Sequence, residues 1–353
     1  MADAVRLPIL QRLPPPARPL HARRMAAGAV LLAVALLAVT MPWTSSVVRT
    51  APVALGAQRK VLTAYPVIGV FSHPLSHPEK NGVHEYIAAS YIKWIESAGG
   101  RAVRIPFTAS EDELRTTLAH VNGLLFPGGD PSPNAQAKFL LDTAIELNNN
   151  GTYFPVWGTC LGFEWLVQLT AQDNDVLDAT DAQNISSVLD LTPEASSSRL
   201  WSFSSYFHAL TTAPRSANFH HFGITAEHFA ATPSLSAFFT ALATSTDRQG
   251  IPYVAAIEAK GYPFYGVQFH PEKNPYEYGR QANGVLFGDI DHSYEALLAS
   301  QAFAHFFIGE ARKNDHRFPT AADEFANVLY NHLTTAALYP GFESVYIFDP
   351  APN

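Results

Sequence analysis

The spacing of apolar and polar positions divides the chain into short buried runs and helix-period segments. Residues 66–71, PVIGVF, form a β-rich apolar run and predict a buried first strand. Residues 72–81, with two His-Pro pairs, read as a solvated loop that carries His73 and His77. Over 84–98, Ile87, Tyr91, Trp94, Ile95 and Ala98 share one face, which predicts a helix stopped by Gly99-Gly100. Residues 102–105 and 121–126 predict the second and third strands, with Ser110-Glu111-Asp112-Glu113 as a capping box between them. A helix over 134–148 and a fourth strand over 153–157 follow.

From 173 to 250 the pattern loosens into Ser, Thr, Asn and aromatic residues, an inserted region of strand–turn pieces. Order returns in a hairpin, 253–257 with 262–269. A long helix over 293–313, another over 320–334 and an edge strand over 344–348 make a C-terminal extension. Strands alternating with helices through short turns give an α/β fold, a mostly parallel central sheet with helices on both faces. No composition break falls inside 60–353, so residues 58–353 are expected to form one domain.

The first 57 residues differ in kind. Residues 1–24 carry Arg6, Arg12, Arg18, Arg23 and Arg24 against the single acid Asp3, and 25–41 are an uninterrupted run of small and apolar residues. A basic flank before an apolar run is the pattern of a secretory signal peptide or signal anchor, followed here by a linker. It predicts entry to the secretory pathway. Membrane contact is expected only through 25–41, and only if the leader is retained. Asn150-Gly-Thr and Asn184-Ile-Ser are glycosylation sequons if the chain is luminal. Beyond residue 57 there are 17 basic residues, 30 acidic ones and 13 histidines. That balance excludes nucleic acid as a partner and suits an acidic compartment.

Cys160 is the only cysteine, which excludes an internal disulfide and any multi-cysteine metal site. It stands in Gly158-Thr159-Cys160-Leu161-Gly162, between an apolar run and a helix pattern. Glycines two before and two after let the backbone turn sharply and lift the side chain above a sheet edge, with the next N–H free for an oxyanion. The helix N-terminus behind it would favour thiolate. By itself the motif also fits a buried structural cysteine. About 110 residues on, His270 leaves a strand with Pro271 and Glu272 behind it, which suits a base and the carboxylate that orients it. At the end of the third strand, Phe126-Pro127-Gly128-Gly129-Asp130 allows backbone N–H groups to approach a substrate. The Gly129 and Leu161 N–H groups are the expected oxyanion hole. No spacing suggests a metal site, and no cofactor is expected.

Phe126-Pro-Gly-Gly-Asp130, Trp157-Gly-Thr-Cys-Leu-Gly-Phe-Glu164 and Tyr265-Gly-Val-Gln-Phe-His-Pro-Glu-Lys-Asn-Pro-Tyr-Glu277 resemble the class I glutamine amidotransferase family, most closely its γ-glutamyl hydrolase branch. The resemblance spans about 65–350 and implies a flavodoxin-like sheet and a cysteine hydrolase of folate poly-γ-glutamates, secreted or delivered to lysosome or vacuole and often a homodimer. It implies Cys160 as nucleophile and His270 as base, and places His220 at the site. Glu164 stands where many amidotransferases carry Gln, and could pair with a substrate ammonium or with the helix dipole. Lys273 and Tyr276, just past His270, are further candidates for substrate contact. Two other functions stay open at this point: a glutaminase serving a separate synthetase, and a silent membrane-anchored scaffold.

Overall fold

The computed structural model describes residues 60–75, 84–281, 283–286, 288–336 and 342–349. The leader expected over 1–57 and His77 lie outside them. In chain order the elements begin with β1 (Val67–Phe71), β2 (His73–Leu75), β3 (His84–Ala88), α1 (Ala89–Ser97), β4 (Arg101–Ile105), α2 (Glu111–Leu118) and β5 (Gly123–Phe126). Next come α3 (Ala135–Asn149), β6 (Val156–Thr159), α4 (Leu161–Ala171), β7 (Asp178–Ser187), β8 (Asp190–Leu191) and β9 (Ser216–Gly223). The chain continues through α5 (Ala226–Ala231), α6 (Pro233–Phe238), β10 (Phe239–Thr246), β11 (Pro252–Ala259), β12 (Phe264–Val267), α7 (Lys273–Tyr276), α8 (Tyr294–Ala311), α9 (Ala321–Asn327) and β13 (Val345–Phe348).

Eight strands form the main sheet in the order β4-β1-β5-β6-β12-β11-β10-β8. The first five run parallel and the last three antiparallel, so the expected mostly parallel sheet is present with an antiparallel wing. β1 shows why both faces must be covered, for all five of its residues are buried. Ile68 and Val70 join the core beneath α1 and α8, while Val67 and Phe71 join the core beneath α2, α3 and α4. Trp94 and Trp157 fill the first core and Trp165 the second, each contributing roughly 1.5–3 kcal/mol or more by burial. The 253–269 hairpin is β11 and β12, and β13 is the expected edge strand, in a small sheet ordered β13-β3-β2. The loosely patterned 173–250 region supplies the β7–β9 ribbon, which reaches over the sheet's carboxyl edge and carries His220.

Four expectations need correction. The helix over 84–98 starts only at Ala89, because 84–88 is strand β3, paired on both edges with β2 and β13. All five β3 residues are buried. The awkward one, Glu85, is satisfied by the Arg104 guanidinium at 2.8 Å, the Phe107 N–H at 2.9 Å and the Ser72 hydroxyl. Two-sided pairing outweighs the helical period of the sequence. The loop after β1 begins with a strand for the same reason, and His73 is 1% exposed rather than solvated. The fourth strand runs over Val156–Thr159, since Asn148 bonds both the N–H and the carbonyl of Phe154 and holds 153–155 in the incoming turn. The helix over 320–334 ends at Asn327, where Val328 leaves to form a bridge with Val103 on β4.

Candidate active site

The position of Cys160 follows from two glycines. A methyl group on Gly158 would sit 2.5 Å from the Gly162 carbonyl oxygen, and one on Gly162 only 2.0 Å from that of Phe126. No side chain fits either place, so β6 and α4 close into a tight elbow with Cys160 at its corner. Cys160 has φ 52° and ψ −108°, a strained geometry for a non-glycine residue. Its N–H is tied to the Val267 carbonyl at 2.9 Å and its carbonyl to the Glu164 N–H at 2.9 Å, which hold that strain in place. The thiol is 4.0 Å from the Phe219 carbonyl.

Burial pushes the Cys160 thiol well up, and the carboxylates of Glu164 and Glu272 add to that effect. The Leu161 N–H and Lys273 pull the other way and are outweighed. The expected preference for thiolate is therefore corrected: the resting side chain is a thiol. It needs a base at the moment of attack.

His270 follows β12 and is the nearby candidate. Its Nδ1 lies 2.7 Å from Glu272 Oε1, and a carboxylate there requires the proton on Nδ1. Nε2 is left as a lone pair without a partner among the described residues. Burial lowers the His270 pKa, with Glu272 opposing, so the ring is neutral and able to accept a proton. A methyl group on Gly128 would fall 2.7 Å from His270 Cε1, 2.8 Å from Tyr91 Oη and 3.4 Å from Cys160 Cβ. Cys160, His270 and Tyr91 thus face one glycine.

Tyr91 is the residue that sequence reasoning missed. Its Oη accepts the Gly128 N–H at 2.7 Å and lies 3.4 Å from His270 Nδ1. Its apolar spacing on α1 reads as core, and only the polar head distinguishes it. The Gly128 amide is therefore engaged by Tyr91 and is not free for another acceptor.

Glu164 is 7% exposed and accepts from Gln268 Nε2 at 2.9 Å. Burial raises its pKa to about 8. His220 is buried, with Nδ1 2.8 Å from the Phe222 carbonyl and Nε2 3.3 Å from Asn218 Oδ1, and burial lowers its pKa to about 3. It stands as a neutral ring. Lys273 holds its ammonium 4.8 Å from the centre of the Phe219 ring and 4.5 Å from that of Phe342. These residues, with Gln183, Asn184 and Glu277, wall a pocket of about 150 Å³. Phe219 also meets the His270 ring edge-on at 5.8 Å, so pocket and catalytic pair share a wall. Tyr276 turns elsewhere: its hydroxyl accepts from Gln301 on α8, and its ring borders Lys93 on α1. Among the described residues no group of three or more His, Cys, Asp or Glu side chains could hold a metal ion.

The family model for glutamine amidotransferase class-I matches residues 86–284. Gamma-glutamyl hydrolase B of Dictyostelium discoideum is 36% identical over 301 residues, covering 82% of this chain and 84% of its own. Gamma-glutamyl hydrolase of Homo sapiens is 35% identical over 296 residues, covering 80% of this chain and 90% of its own. Gamma-glutamyl hydrolase 1 of Arabidopsis thaliana is 34% identical, covering 80% and 82%. Identity at this level across four-fifths of the sequence, together with the elbow and its base, makes the chain a member of the class I glutamine amidotransferase family, on its gamma-glutamyl hydrolase branch.

Proposed function

We propose that the enzyme hydrolyses the γ-glutamyl peptide bonds of folate poly-γ-glutamates through a thioester on Cys160. The observation that carries this is the grouping of the Cys160 elbow and the His270–Glu272 pair around Gly128. His270 Nε2 takes the thiol proton as sulfur attacks the γ-carbonyl, and Glu272 stabilises the imidazolium that forms. The carbonyl oxygen gains charge and is met by the Gly129 and Leu161 N–H groups. Collapse breaks the C–N bond, and His270 returns its proton to the leaving amino group. Water then attacks the thioester with His270 again as base, which frees the γ-carboxylate and restores the thiol.

The substrate's chemistry fits the surroundings. Each glutamyl unit brings an α-carboxylate, and the Lys273 ammonium between two phenyl rings is a cation suited to one. Glu164, beside the nucleophile, is suited to a substrate donor. A glutaminase would need only room for a free amino acid, whereas the pocket beyond Phe219 extends the site. Incubating the enzyme with pteroylpentaglutamate and separating the products tests this reading; shortened chains or free glutamate support it.

Delivery belongs to the same reading. The arginine-rich start and the apolar run 25–41 direct the chain into the secretory pathway, and Asn150, exposed at the end of α3, offers a glycan acceptor. The working form is a homodimer. N-terminal sequencing of protein from a eukaryotic culture medium, with its mass in solution, checks both points.

A further inference from the structure

His73 takes no part in the chemistry above, yet β2 buries it against the loop that carries the oxyanion amide. A methyl group on Gly129 would fall 2.7 Å from His73 Cδ2 and 3.0 Å from Nε2. The same Nε2 lies 3.3 Å from the Pro127 carbonyl. A carbonyl only accepts, so this contact places the proton on Nε2. Nδ1 is then a bare acceptor, and it has no partner among the described residues. Trp165 meets the ring edge-on at 5.2 Å, with Tyr86 and Phe107 at 6.2 and 6.4 Å, so the imidazole is packed in place. The nearest charge, Glu85, is engaged by Ser72, Arg104 and the Phe107 N–H. Burial lowers the His73 pKa to about 4, which keeps the ring neutral.

Seen along the loop, Pro127-Gly128-Gly129 is gripped twice. His73 holds the carbonyl of Pro127, and Tyr91 holds the N–H of Gly128. Two adjacent glycines supply no stiffness of their own. An amide aimed at a developing oxyanion needs stiffness, because its value lies in being oriented before the charge appears.

We propose that His73 is a positioning residue for the hydrolysis, donating Nε2–H to Pro127 so that the Gly129 N–H stays aimed at the oxygen of the tetrahedral intermediate. This rests on Gly129 as an oxyanion donor. Three substitutions in the full chain separate this role from packing. His73→Phe keeps a ring and removes the donor. His73→Asn keeps an amide but is too short to reach Pro127, and His73→Gln returns a donor close to the place of Nε2.

With pteroyltriglutamate as substrate and rates normalised to titratable Cys160, kcat should fall roughly 10- to 100-fold in the Phe and Asn variants. KM should stay within about twofold, and the Gln variant should keep kcat within about threefold of wild type, since the oxyanion forms only after binding. A γ-glutamyl aldehyde, whose hemithioacetal oxygen takes the oxyanion's place, should lose affinity in the same order. If His73→Phe does not fold, the Asn–Gln comparison decides alone. Equal losses in Asn and Gln, or wild-type kcat per titrated thiol in all folded variants, would overturn the proposal. Wild-type turnover, run alongside, judges the proposed function separately.

Discussion

Gln268 donates its Nε2–H to Glu164 across 2.9 Å, joining the helix that begins just after Cys160 to the strand end that leads to His270. Glu164 lies four residues past Cys160 and Gln268 two before His270, so one hydrogen bond ties the Cys160 and His270 segments together. It is buried on both sides. An interaction of this kind fixes spacing as well as contributing stability.

Burial raises the Glu164 pKa in the folded protein to about 8, far above that of an exposed carboxyl. A raised folded-state pKa means that the fold holds a proton that the unfolded chain has released. This group's contribution is therefore fully present below the ordinary carboxyl pKa and is lost as pH rises through about 8. Chemical denaturation of wild type and Glu164→Gln across pH 4–9 should show the difference in stability shrinking for wild type as pH rises, by on the order of a few kcal/mol. Parallel curves would show that Glu164 is ionised throughout.

Tyr91→Phe removes the hydroxyl that accepts the Gly128 N–H and leaves the ring's packing intact. A buried amide loses its partner, which costs about 1–3 kcal/mol of stability. The loop beside the oxyanion also loosens. Denaturant midpoints should fall accordingly, and kcat should drop about tenfold with little change in KM. A KM effect alone would place Tyr91 in substrate binding instead.

The acid limb of activity follows from His270. The base works in its neutral form, and burial lowers its pKa below the ordinary imidazole value of 6.5. Activity should hold as pH falls to 6.5 and decline only below it. A kcat/KM profile that turns down at or above pH 6.5 contradicts the neutral, buried base. Glu272→Gln keeps the contact but removes the charge that stabilises the imidazolium, and should lower kcat by at least about 10²-fold across the whole profile.

Much of this site is legible in the sequence because each part is local. Gly158-Thr159-Cys160-Leu161-Gly162 carries its own backbone geometry, His270 and Glu272 are two residues apart, and the Gly128-Gly129 turn ends a strand. What the sequence hides depends on distant partners. β3 reads as helix because its neighbours β2 and β13 come from 73–75 and 345–348. His73 reads as a loop residue because Gly129, which makes room for its ring, is 56 positions away. Tyr91 has the spacing of a core residue and is one; only the Gly128 N–H above its hydroxyl gives it a second use. Thiol acidity is likewise a three-dimensional property, since the helix start that favours thiolate is outweighed by burial, with Glu164 and Glu272 adding to it.

The central claim is that Cys160 carries a γ-glutamyl thioester. Brief mixing of the enzyme with pteroylpentaglutamate, an acid quench and intact-mass measurement tests it most directly. Wild type should show a covalent adduct on the Cys160 peptide that decays as shortened folates appear. Cys160→Ala should fold normally, show no adduct and hydrolyse the substrate more than about 10³-fold more slowly. Sustained hydrolysis by pure Cys160→Ala would contradict the account.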